Sequence, residues 1–251
     1  MPLLPAGFVT RGREDFHVHT SGFSDDAHSP LADVLAAAVA AELDVVCLAE
    51  HVRASTTWLP DYLQAVQEAR PQHPGLRILR SVETKILDTT GALDLPPGTE
   101  ALDAVHLADH QFPLDHPTHP DDVREQLRDG RLSVDDAVTA LLDATCAAMG
   151  RVAQPVLAHL FSVLPKVGLS EQDVPGAALG ELAHVAARTH AVLEVNQKWA
   201  CPSARTIAAF ATAGVPLVAS TDAHEAAEVG RWSMLDRLPH NGSPAPDSSG
   251  C

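Results

Sequence analysis

The stretch that decides the fold is "EDFHVHTSGFSDDAH", residues 14–28. His17 and His19 alternate with Phe16 and Val18, so an extended strand would put both imidazoles on one face and both apolar groups on the other. Such a strand is either a polar edge or the first half of a metal site. The second half must come from elsewhere in the chain.

Working outward, short apolar runs alternate with helix-period segments. After "DFHVH", Ser29 and Pro30 are expected to open a helix as N-cap and first-turn residue, followed by Leu31, Val34, Leu35, Ala38 and Val39 at helical spacing. "DVVCLAE" (44–50) reads as a second strand, "LPDYLQAVQEAR" as a helix stopped by Pro71, and "LRILRSVETKI" (76–86) as a third strand. "ALDAVHLADH" (101–110) contains a fourth, and the proline-rich residues 111–120 read as loop. Ser133 with Asp136 predicts a helix through Met149. "QPVLAHL" (154–160), "AVLEVN" (191–196) and "VPLVAST" (215–221) complete seven strands, with helices near 178–189 and 203–213 between the last three. This alternation, without a linker, predicts one α/β domain with a parallel sheet. Its boundaries are drawn at 14–238, after an N-terminal extension (1–13) and before a polar tail expected to be disordered (239–251).

Composition narrows the function. A formal net charge of -16 over 251 residues argues against an extended nucleic-acid partner, which needs clustered Lys and Arg. The four cysteines have no C-x-x-C spacing and read as free thiols. "MPLLPAGFVTRGRED" lacks the basic start and long apolar core of a signal peptide, and no apolar run reaches membrane-spanning length. The expectation is a cytoplasmic protein with no membrane partner. No feature of the sequence specifies an oligomeric state.

The polar residues cluster by position. His17 and His19 end the first strand, Glu50 and His51 the second, and Glu83 lies late in the third. His106, His159 and Asn196 follow at later strand ends, and Asp222 and His224 succeed the last strand. A single histidine after a strand is ordinarily a solvent-facing or capping residue. So many on one rim resist a packing explanation, because clustered buried polarity needs cations to pair it. H-x-H offers a two-imidazole clamp, and D-x-H joins a hard oxygen to a borderline nitrogen suited to divalent transition metals. His17, His19, Asp25, His51, Glu83, His106, His159, Asp222 and His224 are nine candidate ligands, too many for one zinc ion and enough for two or three cations with a bridging carboxylate.

The segments "DFHVHT", "AEH", "VET", "VH", "LAH" and "STDAH", in this order across residues 15–224, resemble the polymerase-and-histidinol-phosphatase (PHP) family of metal-dependent phosphoesterases. The resemblance implies a distorted (β/α)7 barrel and three divalent cations, zinc, manganese or iron. It places one cation with His17, His19, Glu83 and Asp222, a second with Glu83, His106 and His159, and a third with Asp25, His51 and His224. Asp25 departs from the histidine that many family phosphatases carry, and Asp109 and His110 compete with His106. The implied activity is hydrolysis of a small phosphorylated metabolite, a phosphate monoester of the histidinol-phosphate type, by metal-activated hydroxide. Asp222, His224 and Glu83 are the catalytic candidates. Lys198 is the leading substrate contact, with Arg53, Arg231 and Lys85 behind it. Trp58, Tyr62 and Trp199 are candidate walls, and Asp15 is expected to orient its strand end or a ligand. A phosphodiesterase or nuclease of the same family is the alternative. An amidohydrolase-like C–N hydrolase also opens with H-x-H, but does not require the second ligand of Asp222-Ala223-His224.

Overall fold

The apolar runs fold as strands in a computed structural model of the chain, which describes residues 2–232. In chain order these are β1 (Glu14–Val18), β2 (Val45–His51), β3 (Arg77–Lys85), β4 (Ala104–Ala108), β5 (Phe112–Pro113), β6 (Pro117–Thr118), β7 (Pro155–Leu157), β8 (Val192–Asn196) and β9 (Leu217–Ser220). The helices are α1 (Leu31–Ala40), α2 (Leu59–Ala69), α3 (Pro120–Arg128), α4 (Val134–Met149), α5 (Gly176–Arg188) and α6 (Ala204–Thr212). Strands β1, β2, β3, β4, β7, β8 and β9 form one parallel seven-stranded sheet in that order, and β5 and β6 a separate antiparallel pair. The sheet ends meet beyond β9, where His19 N donates to the Ala223 carbonyl at 2.9 Å and Ala223 N to that of His17 at 3.3 Å. This is a distorted (β/α)7 barrel in a single domain. Among the described residues no helix is long and apolar enough to cross a membrane.

The interior is layered. Phe16, Cys47, Leu79, Ala104, Val156, Val192 and Val218, one from each strand of the seven-stranded sheet, fill its lower end. Leu3, Leu4 and Phe8 pack beneath them, and Leu217 N donates to the Phe8 carbonyl, so the segment before β1 closes the bottom of the barrel. The larger apolar cluster lies between the sheet and the helices, where Val34, Leu35 and Ala38 are the buried residues of α1.

Two local expectations fail for identifiable reasons. Phe16 does not share a face with Val18: it belongs to the inner cluster and Val18 to the outer. Asp15 pairs with Val46 and Val18 with Leu48, so β1 carries one residue more than β2, a bulge that lets Phe16 and His17 both serve the interior. Ser29 does not cap α1. Pro30 is the N-cap, and the Ser29 hydroxyl accepts a hydrogen bond from Ala226 N instead. Ser133 does cap α4, accepting from Asp136 N at 3.0 Å. The tail at 239–251 lies outside the described residues.

Candidate metal centre

The C-terminal strand ends converge on Glu83. This carboxylate is 3 % exposed, yet five imidazoles surround it. Its Oε2 lies 2.7 Å from His51 Nε2, 3.4 Å from His17 Nε2 and 3.7 Å from His19 Nε2. Its Oε1 lies 2.8 Å from His159 Nε2 and 3.0 Å from His110 Nε2. Burial alone would push the Glu83 carboxyl up, but His110 and His17 outweigh it and hold it well below the usual carboxylate range.

On the β9 side, Asp222 Oδ1 lies 3.4 Å from His19 Nε2 and 3.5 Å from His224 Nδ1. Asp222 has φ 55° and His159 φ 31°, a left-handed backbone seldom used outside glycine. That backbone is one cost of bringing both side chains to the cluster.

The donor set fits divalent cations. His17 Nε2 and His19 Nε2 are buried and lack any hydrogen-bond partner, although both face carboxylate oxygens. At His17 burial is outweighed by Glu194, Glu83 and Asp222, which raise the imidazole well above its ordinary value, so the carboxylates demand positive charge there. At His19 a nitrogen lone pair and an anionic oxygen at this separation need a cation between them. Burial holds the His19 imidazole down to about 3, so its neutral, metal-ligating form prevails. Behind His17, Glu194 places Oε2 3.1 Å from Nδ1, and burial of this carboxyl is outweighed by His17, so its pKa falls below the ordinary value. Asn196 Nδ2 and Ser220 Oγ both donate to its Oε1. Such a carboxylate behind a histidine fixes its tautomer and ring orientation.

Not every expected ligand arrives. His106 sits against His17 one layer deeper, with Nε2 2.7 Å from the Phe16 carbonyl and Nδ1 2.8 Å from the Ser81 hydroxyl. Both ring nitrogens are occupied, and burial lowers the group to about 4. Of His106 and His110, it is His110 whose ring reaches Glu83. Asp25 stands exposed at the rim beside Arg53, its Oδ2 3.7 Å from the guanidinium. The neighbouring Asp26 instead holds His51 Nδ1 at 3.0 Å and His224 Nε2 at 3.2 Å, and Asp25 and Asp26 remain close enough to His51 to share a cation with it. Asp26 and Glu194 carried no sequence signal of their own, although "SDDAH" and "LEVN" contain them.

Glu50 stays below the cluster, accepting from Thr20 N, Thr20 Oγ1 and Ser24 Oγ. Asp15 accepts from Thr221 N at 2.9 Å and Gly230 N at 3.0 Å, which ties β1 to the turn that presents Asp222.

A cleft of about 410 Å3 opens onto the cluster. Lys198 Nζ stands in it 3.0 Å from His224 Nδ1 and 3.6 Å from Asp222 Oδ1, and Arg53 and Lys85 line it too. Trp199 forms a wall, its Nε1 donating to Asp222 Oδ2 at 2.9 Å, and Trp58 packs with Phe23 on another side. Tyr62 is no wall. It is fully buried, donates to the Leu48 carbonyl and accepts from Ser81 N. Arg231 is exposed beyond Gly230 and does not line the cleft.

Residues 15–198 match the family model of the PHP domain. A solved structure of histidinol phosphate phosphatase from Lactococcus lactis, complexed with zinc, L-histidinol and phosphate, aligns with a TM-score of 0.61 at 17% identity, covering 88% of each chain. A protein assigned as histidinol phosphatase from Listeria monocytogenes aligns with a TM-score of 0.63 at 14% identity, covering 90% of this chain and 100% of its own. No curated protein matches the chain by sequence.

Proposed function

The chain belongs to the PHP-domain family, and from that premise we propose that it is a metal-dependent phosphoesterase that hydrolyses a small phosphate monoester. The observation that carries this reading is Glu83, whose two oxygens divide five imidazoles between them. One oxygen faces His17, His19 and His51, the other His110 and His159, so Glu83 would help each of these two groups of histidines to hold a cation. Asp222 would complete the first set, and His51, His224, Asp25 and Asp26 offer a third. When bound, the cations supply a water-derived nucleophile at neutral pH and neutralise charge on the phosphoryl group.

The chain's residues do the remaining work. Lys198 and Arg53 present positive charge to phosphoryl oxygens over the cluster, which stabilises the charge redistributed during phosphoryl transfer. Lys198, beside His224 at the mouth, would deliver a proton to the departing alkoxide. Trp58, Phe23 and Trp199 wall the space left for the leaving group. A cleft of this size suits a metabolite. The likeness to a histidinol phosphate phosphatase makes histidinol phosphate a reference ester for comparison with others. The test is release of inorganic phosphate from a panel of phosphorylated metabolites by chelated and by metal-reconstituted protein, with Asp222→Ala as control. Reconstituted protein should release phosphate, and the variant should be folded and inactive. Metal-independent release, or none from any ester, would refute the reading.

A further inference from the structure

Lysine occurs only three times in the 251 residues, as Lys85, Lys166 and Lys198, and all three stand around the mouth of the cluster. Lys85 and Lys198 line the cleft over the metal centre. Lys85 and Lys166 line a second recess of about 600 Å3, which opens beside that cleft and shares His110 with it. Lys198 is engaged by His224 and Asp222. The other two are not so satisfied. Lys85, two residues beyond Glu83 on β3, is half-buried, and its ammonium group has no hydrogen bond or ion pair with any described residue. Lys166 is also half-buried, and its ammonium group lies over the Trp199 ring, 4.3 Å from the centroid, with no ion pair to any described residue. Arg124 in the same recess is neutralised by Asp121, which also lies 3.5 Å from His119. Lys85 and Lys166 therefore leave the recess with positive charge that no described carboxylate answers, in a chain whose net charge is -16. Two ammonium groups in one concave, partly desolvated wall attract and hold an anion.

We propose that this recess is a second anion subsite, and that the substrate is a small phosphoester carrying a second anionic group, phosphate or carboxylate. Lys85 and Lys166 hold that group while the scissile phosphoryl group lies over Glu83. The proposal rests on the phosphoesterase reading, so its test does not depend on turnover. Non-hydrolysable α,ω-alkanediphosphonates and ω-phosphonocarboxylates of three to six methylenes are titrated calorimetrically into metal-reconstituted, dialysed full-length protein, beside the matching alkylphosphonates. The doubly anionic ligands should bind about tenfold tighter than the simple phosphonates, the gain expected for one charge-assisted contact. Lys166→Met should abolish that gain while leaving alkylphosphonate affinity unchanged, and Lys166→Arg should restore it. Whichever head group gains more identifies the anion. Equal affinities for both ligand classes, or a gain that survives Lys166→Met, would overturn the subsite whether or not any ester is hydrolysed. Failure to hydrolyse every ester would instead overturn the phosphoesterase reading.

Discussion

Glu194 stands directly behind His17, its Oε2 3.1 Å from the ring's Nδ1, while the opposite nitrogen of that ring faces Glu83 Oε2 at 3.4 Å. Asn196 and Ser220 fix the far oxygen of Glu194, so the imidazole is held from behind and its lone pair directed at the cluster. Glu194→Gln keeps the shape but weakens this hold. Metal affinity, measured by competition with a chromophoric chelator, should fall by roughly 10- to 100-fold with an unchanged circular-dichroism spectrum. Unaltered affinity would remove Glu194 from the account.

His106 and His110 should separate in the laboratory. His106→Ala deletes two buried hydrogen bonds and opens a cavity, which should cost about 2–4 kcal/mol of stability while sparing most bound metal. His110→Ala removes a half-buried ring beside Glu83 Oε1, and should lower metal content while costing stability less than about 1 kcal/mol. Elemental analysis and thermal melts of the two variants decide between them.

The same pair shows what the sequence could carry. Seven apolar runs and the polar residues closing them were legible, because strand period and strand-end chemistry are local properties. His17, His19, His51, Glu83, His159, Asp222 and His224 come together in the structure as those positions suggested. The choice between His106 and His110 was not legible, because it depends on how far β4 runs beyond His106 and on the Ser81 hydroxyl waiting on the neighbouring strand β3. Asp25 and Asp26 are adjacent, and only loop geometry decides which one faces His51. Glu194 resembled any acidic residue in a strand, and the β1 bulge leaves no mark in residue type.

Away from the cluster, Asp103 carries a pH signature. Burial would raise its pKa, but hydrogen bonds and charge from Arg80, with Arg70 2.9 Å away, lower it below the usual value. A depressed folded-state pKa means the unfolded chain binds the proton more readily. The stabilisation is therefore present above the unfolded value near pH ~4 and is lost as pH falls through the folded one. Asp103→Asn should lower stability at neutral pH and flatten the decline on acidification, followed by urea denaturation between pH 7 and 3. An unchanged slope would contradict this.

Gly91 tests the packing of α4. Its φ is 73°, and an added Cβ would come within 2.3 Å of Ala148 N. Gly91→Ala combines left-handed strain with an overlap against helix backbone, and should cost about 2–4 kcal/mol in chemical denaturation. A neutral effect would mean that this loop does not pack on α4 in solution.

If Glu83 organises a cluster of cations, metal stoichiometry reports it without reference to any substrate. Protein reconstituted with zinc or manganese and dialysed free of excess metal is analysed by inductively coupled plasma mass spectrometry, alongside Glu83→Ala. The account predicts close to three ions per chain in the wild type, and at least one fewer in the variant, which loses the shared carboxylate. One ion or none per wild-type chain, or a variant that binds as many as the wild type, would contradict it.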